Sequence, residues 1–575
     1  MPLVSRTFDQ LFNFTRTSAA TFVGSNGLVQ VTPASKNVLT FTQELDNAAW
    51  TKTSVTITAN STVAPDTTST ADTITAVAAA NIHTVFVAAT NLAGATQWTA
   101  SIYAKAGTHG FMQILHASNP DFFANFNLTT GVVGTKGPGV PTSTITPVGD
   151  GWYRCSMTFT PAAPSTIRFN VVSSASAVYN ESWTPAGTET FFLWGAQAEI
   201  AAAPTSYARN FGGVFPPRLD YSPVSLAPRG LLVEQQSTNL FTYSEDFTNA
   251  FWAKTNITAT AAAAVSPTGA TNAQRVEATA TAATTFTSSA TAVAATSATF
   301  SVYVKQGTGA TTANAFLLRN STTATNLIAG TLDYSTGVWT YSTGSTGVTV
   351  TDAGNGWWRV QIAASSGITS GNSLVGYIGF TGGAQTAGNH LFAWGAQLEA
   401  LPFASSYIPT VASQVTRTSD QTTISAPNFA SWYNQPEGTL FVEFSALGFN
   451  TVSESLAMLS DNTSNNILLP FVNSGGTSFV NVISGGVTSA NLNTGAVTVG
   501  AVSKHASAYL ANGFAATLNG AAPAIDSAGA VPVGVNTLNA GWSAPYGGLF
   551  LNGHLRSIRY YPIRLSNTTL QALTA

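Results

Sequence analysis

A chain of 575 residues is too long for one hydrophobic core, and ordinary domain sizes predict three to five domains. Charged residues make up only 8% of it against 44% apolar, so Thr, Ser, Asn and Gln must keep its surface wet. The 21 basic and 24 acidic residues leave a formal charge of -3, which offers no field to steer a polyanion and excludes nucleic acid as an expected partner.

The first residues, MPLVSRTFDQLFNF, lack the continuous apolar core of a signal peptide, and no run reaches the ~18 apolar residues of a membrane span, so membrane insertion is not expected. Within the N-terminal segment, residues 1–36, Ala20–Val23 and Leu28–Val31 read as a hairpin around Ser25-Asn26-Gly27, because Asn-Gly favours a tight turn with positive φ.

At Asn37 a module begins that the chain uses twice. NVLTFTQELDNAAWTKT (37–53) returns as NLFTYSEDFTNAFWAKT (239–255), and WTASIYAKAG (98–107) as ATFSVYVKQG (298–307). GDGWYRCSMTF (149–159) returns as GNGWWRVQIAA (354–364), FFLWGAQAEI (191–200) as LFAWGAQLEA (391–400), and Ser206-Tyr207 as Ser406-Tyr407. Order and spacing are kept, so the modules span 37–209 and 239–410. Both alternate with the period of strands: Phe300, Val302 and Val304 point one way, Ser301, Tyr303 and Lys305 the other. Such strands, rich in Thr and Val and divided by Gly, Asn and Pro turns, predict an all-β chain of tandem β-sandwich or jelly-roll modules.

Residues 210–238 carry Pro-Pro and Ala-Pro breaks and then an apolar strand, Leu231–Val233; with residues 13–36 they read as the two halves of one small unit into which the first module is inserted. The pattern changes in 411–575. Strands with Asn-Gly turns at Asn512-Gly513, Asn519-Gly520 and Asn552-Gly553 predict a third sandwich of another type, and Ser566 is placed to cap a helical turn over Asn567–Leu573.

Glycans are commonly held by an aromatic platform rimmed with amides, carboxylates or Arg. Strand parity can assemble such a face from Tyr103, Lys105, Trp152, Arg154 and Gln197 in the first module, and from Tyr303, Lys305, Trp357, Arg359 and Gln397 in the second, provided their strands share one sheet. The competing reading has Trp152 and Trp357 covering Arg stems or a sandwich edge, and Trp50 and Trp252 plugging strand ends. Trp194 and Trp394 share the parity of Phe192 and Phe392 and are expected in the core, while Gly195 and Gly395 mark a bulge. Cys155, the only cysteine, excludes internal disulfides and alternates with Tyr153 and Met157 as a buried small hydrophobe would.

Glycoside hydrolysis needs two carboxylates across the scissile bond. Glu199 and Glu399 recur without an acidic partner, and the chain carries no HExxH, GxSxG or phosphate loop, so no enzyme is expected. Glu44 and Asp246 read as turn acceptors or calcium ligands. No Asp-rich loop completes a metal site and no cofactor is expected, although a jelly roll can hold a structural calcium ion through backbone carbonyls.

The opening at Asn239–Lys254, the Gly151–Arg154 strand and the close at Trp394–Thr410 resemble carbohydrate-binding-module-like jelly rolls of bacteriophage and prophage virion proteins. FTRTSAATFVGSNGLVQV with PRLDYSP and RGLLVEQQSTN is similar to the strip that precedes such a module; here the first module interrupts it, which implies an internal duplication. Gly438–Phe444 and Leu551–Leu573 resemble a concanavalin A-like or laminin G-like lectin domain. The resemblance implies a structural protein of the virion surface, made in the host cytoplasm: a tail fibre, spike or head decoration whose modules bind host surface polysaccharide. It implies attachment to other virion proteins through the N-terminal segment, with Phe12 and Phe14 as the anchor, and a homo-oligomer of trimer type. The alternatives are a dedicated receptor-binding lectin of the tail and a polysaccharide depolymerase, which would need the missing carboxylate pair.

Overall fold

The computed structural model describes residues 12–575 apart from 34, 88–96, 164, 211, 213–214, 308–312 and 426–427. The chain divides into two compact units: Pro33–Pro216 with the strand Asn13–Thr15, and Arg16–Thr32 with Pro217–Ala575. The class is all-β, with one helix among the described residues, α1 (Asn567–Thr574). Ser566 caps it by accepting a hydrogen bond from the Thr569 backbone N–H at 3.2 Å.

Two antiparallel sheets form the first module. One holds β1 (Val55–Thr62), β2 (Ala71–Ala76), β3 (Trp98–Ala106), β4 (Thr142–Gly149), β5 (Trp152–Phe159) and β6 (Thr190–Ile200), in the order β4-β5-β3-β6-β2-β1. The other runs Val132–Lys136, Phe123–Asn127, Phe111–His116, Ile167–Val171, Asn81–Val87 and Ser182–Trp183, with Trp50–Thr53 also paired to Asn81–Val87. Alternate apolar residues fill the space between them: Ala100, Ile102 and Ala104 from β3, Cys155 and Met157 from β5, Ile114 and Phe169 from the opposite sheet. Trp50 is a core residue whose indole N–H donates to the Thr40 and Phe41 carbonyls. Cys155 is fully buried there, and burial pushes its thiol pKa up, so it stays a protonated apolar group.

The second module repeats the sheet strand for strand. Its β7 (Ile257–Ala264), β8 (Ala273–Ala278), β9 (Ala298–Gln306), β10 (Val348–Asp352), β11 (Trp357–Ala364) and β12 (His390–Glu399) lie in the order β10-β11-β9-β12-β8-β7. Phe300, Val302, Val304, Val360 and Ile362 face its core. In both copies the GAQ motif is a bulge: the pairing to β3 skips between Trp194 and Gln197, that to β9 between Tyr303 and Ser301, with Gly195 and Gly395 at φ +63 and +61.

One expectation is corrected. Phe191 and Leu193 face the core, so Phe192 and Trp194 share the outer side by plain alternation, and past the bulge Ala196 and Ala198 take the core positions. Trp194 and Trp394 are buried on the opposite, outer face, each in a second and smaller apolar cluster.

In the second unit, Thr21–Val23 pairs with Val29–Val31 as the hairpin, and the Val23 backbone N–H donates to Asp220. The strip does not stop at that pairing. Its strands Arg218–Tyr221 and Pro228–Val233 join the C-terminal sandwich, where Leu231 pairs with Leu555 and Val233 with Gly553, so the third sandwich draws on residues far from 411–575. Asn512 and Asn519 take positive φ between neighbouring strands, whereas Asn552 leads into the strand Gly553–Tyr561 rather than turning a hairpin. In the first unit Phe14 is only 1% exposed, so of the expected anchor pair its ring is already covered within the chain, and Phe12 is half-buried.

Candidate binding face of the repeated modules

Because β3, β5 and β6 are neighbours in one sheet, their outward residues fall into cross-strand rows. In the first module Thr58, Thr73, Phe192, Lys105 and Trp152 form one row, and Trp194, Tyr103 and Arg154 the next. The second module repeats this as Thr260, Arg275, Phe392, Lys305 and Trp357, then Trp394, Tyr303 and Arg359. The aromatic and basic residues singled out in each module therefore do share one face.

As a platform for a ligand, however, that face is shut. Trp152 and Trp357 are 2% and 1% exposed, and their indole N–H groups donate to the carbonyls of Val63 and Val265, both at 3.1 Å. Trp357 packs with Tyr303, Trp394, Tyr407 and the hairpin residue Val29; Trp152 packs with Trp194, Tyr103 and Tyr207. Cover comes from the Ser-Tyr segment that ends each module. Tyr207 and Tyr407 lie 4.8 and 4.6 Å from the rings of Trp194 and Trp394.

The glutamine and arginine members of the expected set are spent on the same closure. Gln197 and Gln397 are buried and accept from the backbone N–H of Ala208 (2.8 Å) and Ile408 (2.6 Å). Arg154 donates to the Thr205 carbonyl at 2.6 Å and Arg359 to the Ser405 carbonyl at 2.7 Å, and each guanidinium lies 5.4 Å from the Tyr103 or Tyr303 ring. Tyr407 shares a hydrogen bond with Ser244 at 2.7 Å and donates to Glu245 at 3.0 Å; burial, then the neighbouring Glu245, pushes its pKa well up, so the phenol keeps its proton. Lys105 and Lys305 alone of the set stay half-exposed without a clasp contact, Lys305 donating to the Asn355 carbonyl at 2.8 Å.

The recurring carboxylates belong to this clasp too. Glu199 accepts from the Thr205 backbone N–H (2.9 Å) and hydroxyl (2.6 Å), and Glu399 from the Ser405 backbone N–H (2.9 Å) and Ser237 hydroxyl (2.6 Å). Glu44 pairs with Arg209 at 2.7 Å, and Asp246 accepts from Thr248 within its own turn. Among the described residues, no three His, Cys, Asp or Glu side chains come together as metal ligands.

No family model matches the chain, and no curated protein matches it. Several solved structures are similar to parts of the chain. A CBM40 module of a Ruminococcus gnavus sialidase, bound to alpha2,3 sialyllactose, is 16% identical, covering 26% of this chain and 89% of its own, with a TM-score of 0.23. The tandem CBM22 domains of Paenibacillus barcinonensis Xyn10C are 11% identical over 64% of this chain and 98% of theirs, with a TM-score of 0.19. Domains LG4-5 of the mouse laminin alpha1 chain are 9% identical over 47% and 86%, with a TM-score of 0.18.

Two features escape a strand-by-strand reading. One is a fully buried ionic cluster of Arg16, Arg218, Arg417, Glu234 and Asp420, signalled in the sequence by TRTS recurring at Thr15–Ser18 and Thr416–Ser419. The other lies where the two modules differ: Thr73 against Arg275, Glu189 against Asn389 and Thr190 against His390. Those positions stand out only as mismatches between two otherwise matching copies.

Proposed function

We propose that the chain is a structural component of a bacteriophage particle, a fibre, spike or decoration protein that holds glycan-binding β-sandwiches toward the host surface. The observation that carries this reading is how the two modules agree and differ. The glutamine and arginine bonds of their clasp are kept, Gln197 matching Gln397 and Arg154 matching Arg359, while the open end of the same face changes from Thr73 and Thr190 to Arg275 and His390. A fixed scaffold with a variable face is what display requires. Engagement of Glu199 and Glu399 in the clasp supports binding over hydrolysis. The resemblance of the opening and closing motifs to virion proteins supports the particle as its place, and a trimer would multiply weak glycan contacts through avidity.

Immunogold electron microscopy of intact, purified particles with antibodies against the chain tests this. Label at a fixed position on the particle surface is the expected result; label confined to unassembled protein, with bare particles, rejects the assignment.

A further inference from the structure

Among the described residues, one end of the second module's outer face stays open. A cleft of about 680 Å³ lies there, lined by Thr260, Ala263, Arg275, Asn389, His390 and Phe392 among others. Its floor is β8 and β12, where Arg275 pairs with Phe392. Edge strand β7 forms one wall: its register to β8 skips between Thr260 and Ala264, with Ala262 at φ +50, and the bulge bends the strand. The other wall is the turn before β12, pinned by two backbone hydrogen bonds of 2.8 Å, from Gly388 N–H to the Ala278 carbonyl and from Ala278 N–H to the Asn389 carbonyl.

The chemistry of the lining is mixed in a specific way. Phe392 offers an apolar surface, with the His390 ring edge-on at 5.5 Å. Arg275 forms an ion pair with Glu277, and its Nη2 is 3.5 Å from His390 Nδ1. Among the described residues, the buried Nε of Arg275 meets no acceptor. Donors and acceptors thus sit side by side next to an aromatic ring, the pattern complementary to a pyranose, which has an apolar C–H face and adjacent hydroxyls that each donate and accept. Because Glu277 already answers the guanidinium charge, an anionic ligand gains little there over a neutral one.

At the same place the first module carries Thr58, Thr73 and Thr190. Thr190 is tied to the Thr108 hydroxyl at 2.9 Å, and Glu189 turns back to accept from the backbone N–H groups of Ala186, Gly187 and Thr188. Neither the guanidinium nor the imidazole has a counterpart.

We propose that this cleft binds an uncharged pyranose unit of a polysaccharide, and that the second module alone carries the site. The assignment rests on the glycan-binding role proposed above, and the following experiment separates the two. The full chain is titrated calorimetrically with gluco-, manno- and galacto-oligosaccharides, with an alginate oligomer as the anionic counterpart, and the wild type is compared with Arg275→Ala, Asn389→Ala and the first-module control Thr73→Ala. We expect saturable binding of a neutral sugar at a single site per chain, weakened about tenfold or more by Arg275→Ala and Asn389→Ala at unchanged melting temperature, and untouched by Thr73→Ala. Binding that survives both second-module substitutions removes the cleft but leaves the glycan-binding role standing. Tighter binding of alginate overturns the ligand class, and failure of every sugar overturns both the cleft and the role.

Discussion

Asp72 lies beside the bulge of β1, where its carboxylate accepts hydrogen bonds from the backbone N–H groups of Asn60 and Leu45, both at 2.8 Å. Burial outweighs those bonds and pushes its pKa from 3.8 up to about 7. Between these values the folded form holds a proton that the unfolded chain has released, so stability is greatest below the lower value and falls as pH rises through the window. Calorimetry should show the first module melting at a lower temperature at pH 8 than at pH 5, and Asp72→Asn should flatten that slope; Gln274, at the matching position of the second module, is an amide already. Trp357 makes a second case. Since it closes the outer cluster, Trp357→Ala should cost about 3–5 kcal/mol in urea unfolding of the second module, through cavity formation rather than loss of a ligand contact. Parity located Trp357 on the outer face, but whether an outer face is wet depends on what crosses it, and Tyr407 and Val29 come from segments no strand pattern connects to it.

Among the elements, β6 and β12 do the most to set the face. Each crosses the sheet centre, and strand alternation turns Trp194 and Trp394 outward onto the clasp just before the glycine bulge. At Gly395 an added Cβ would lie 3.2 Å from Tyr303 and 3.3 Å from Tyr407, besides the left-handed backbone. Gly395→Ala should therefore destabilise the second module by about 1–2 kcal/mol from backbone strain alone, read from the denaturant midpoint. GAQ in two copies made a bulge legible, and alternation made β9 and β11 legible down to which residues face the core. Which side of β12 meets the core was not, because alternation groups Trp394 with Phe392 without encoding whether that side meets the opposite sheet or the clasp.

For the second unit as a whole, the ionic cluster joins the hairpin through Arg16, the strip through Arg218 and Glu234, and the segment after the second module through Arg417 and Asp420. Arg16 meets Asp420 at 2.7 Å and Arg218 meets Glu234 at 2.7 Å, all four side chains being fully buried. Ser406 of the clasp donates to Glu234 from both its backbone N–H and its hydroxyl at 2.7 Å, so module closure and the cluster share a residue. Breaking a buried pair strands its partner charge. Asp420→Asn should lower the stability of this unit by about 3–5 kcal/mol while the first module's own transition stays in place, as two-transition urea melts would show. Burial alone would raise the Glu234 pKa, but Arg417 and Arg218 outweigh it and hold the carboxyl well below its usual range. Its contribution is thus present above about pH 4.5 and lost on acidification toward the folded value, opposite in sign to Asp72.

The sequence by itself determined the all-β class, the duplication, the core faces of β9 and β11 and the capped last helix, because each rests on local periodicity or on self-similarity. Tertiary structure alone decided that the recurring aromatic and amide residues close the modules instead of opening them, and that five scattered charges meet in one buried cluster. Burial and charge pairing are set by segments distant in the chain, and these a local pattern does not encode.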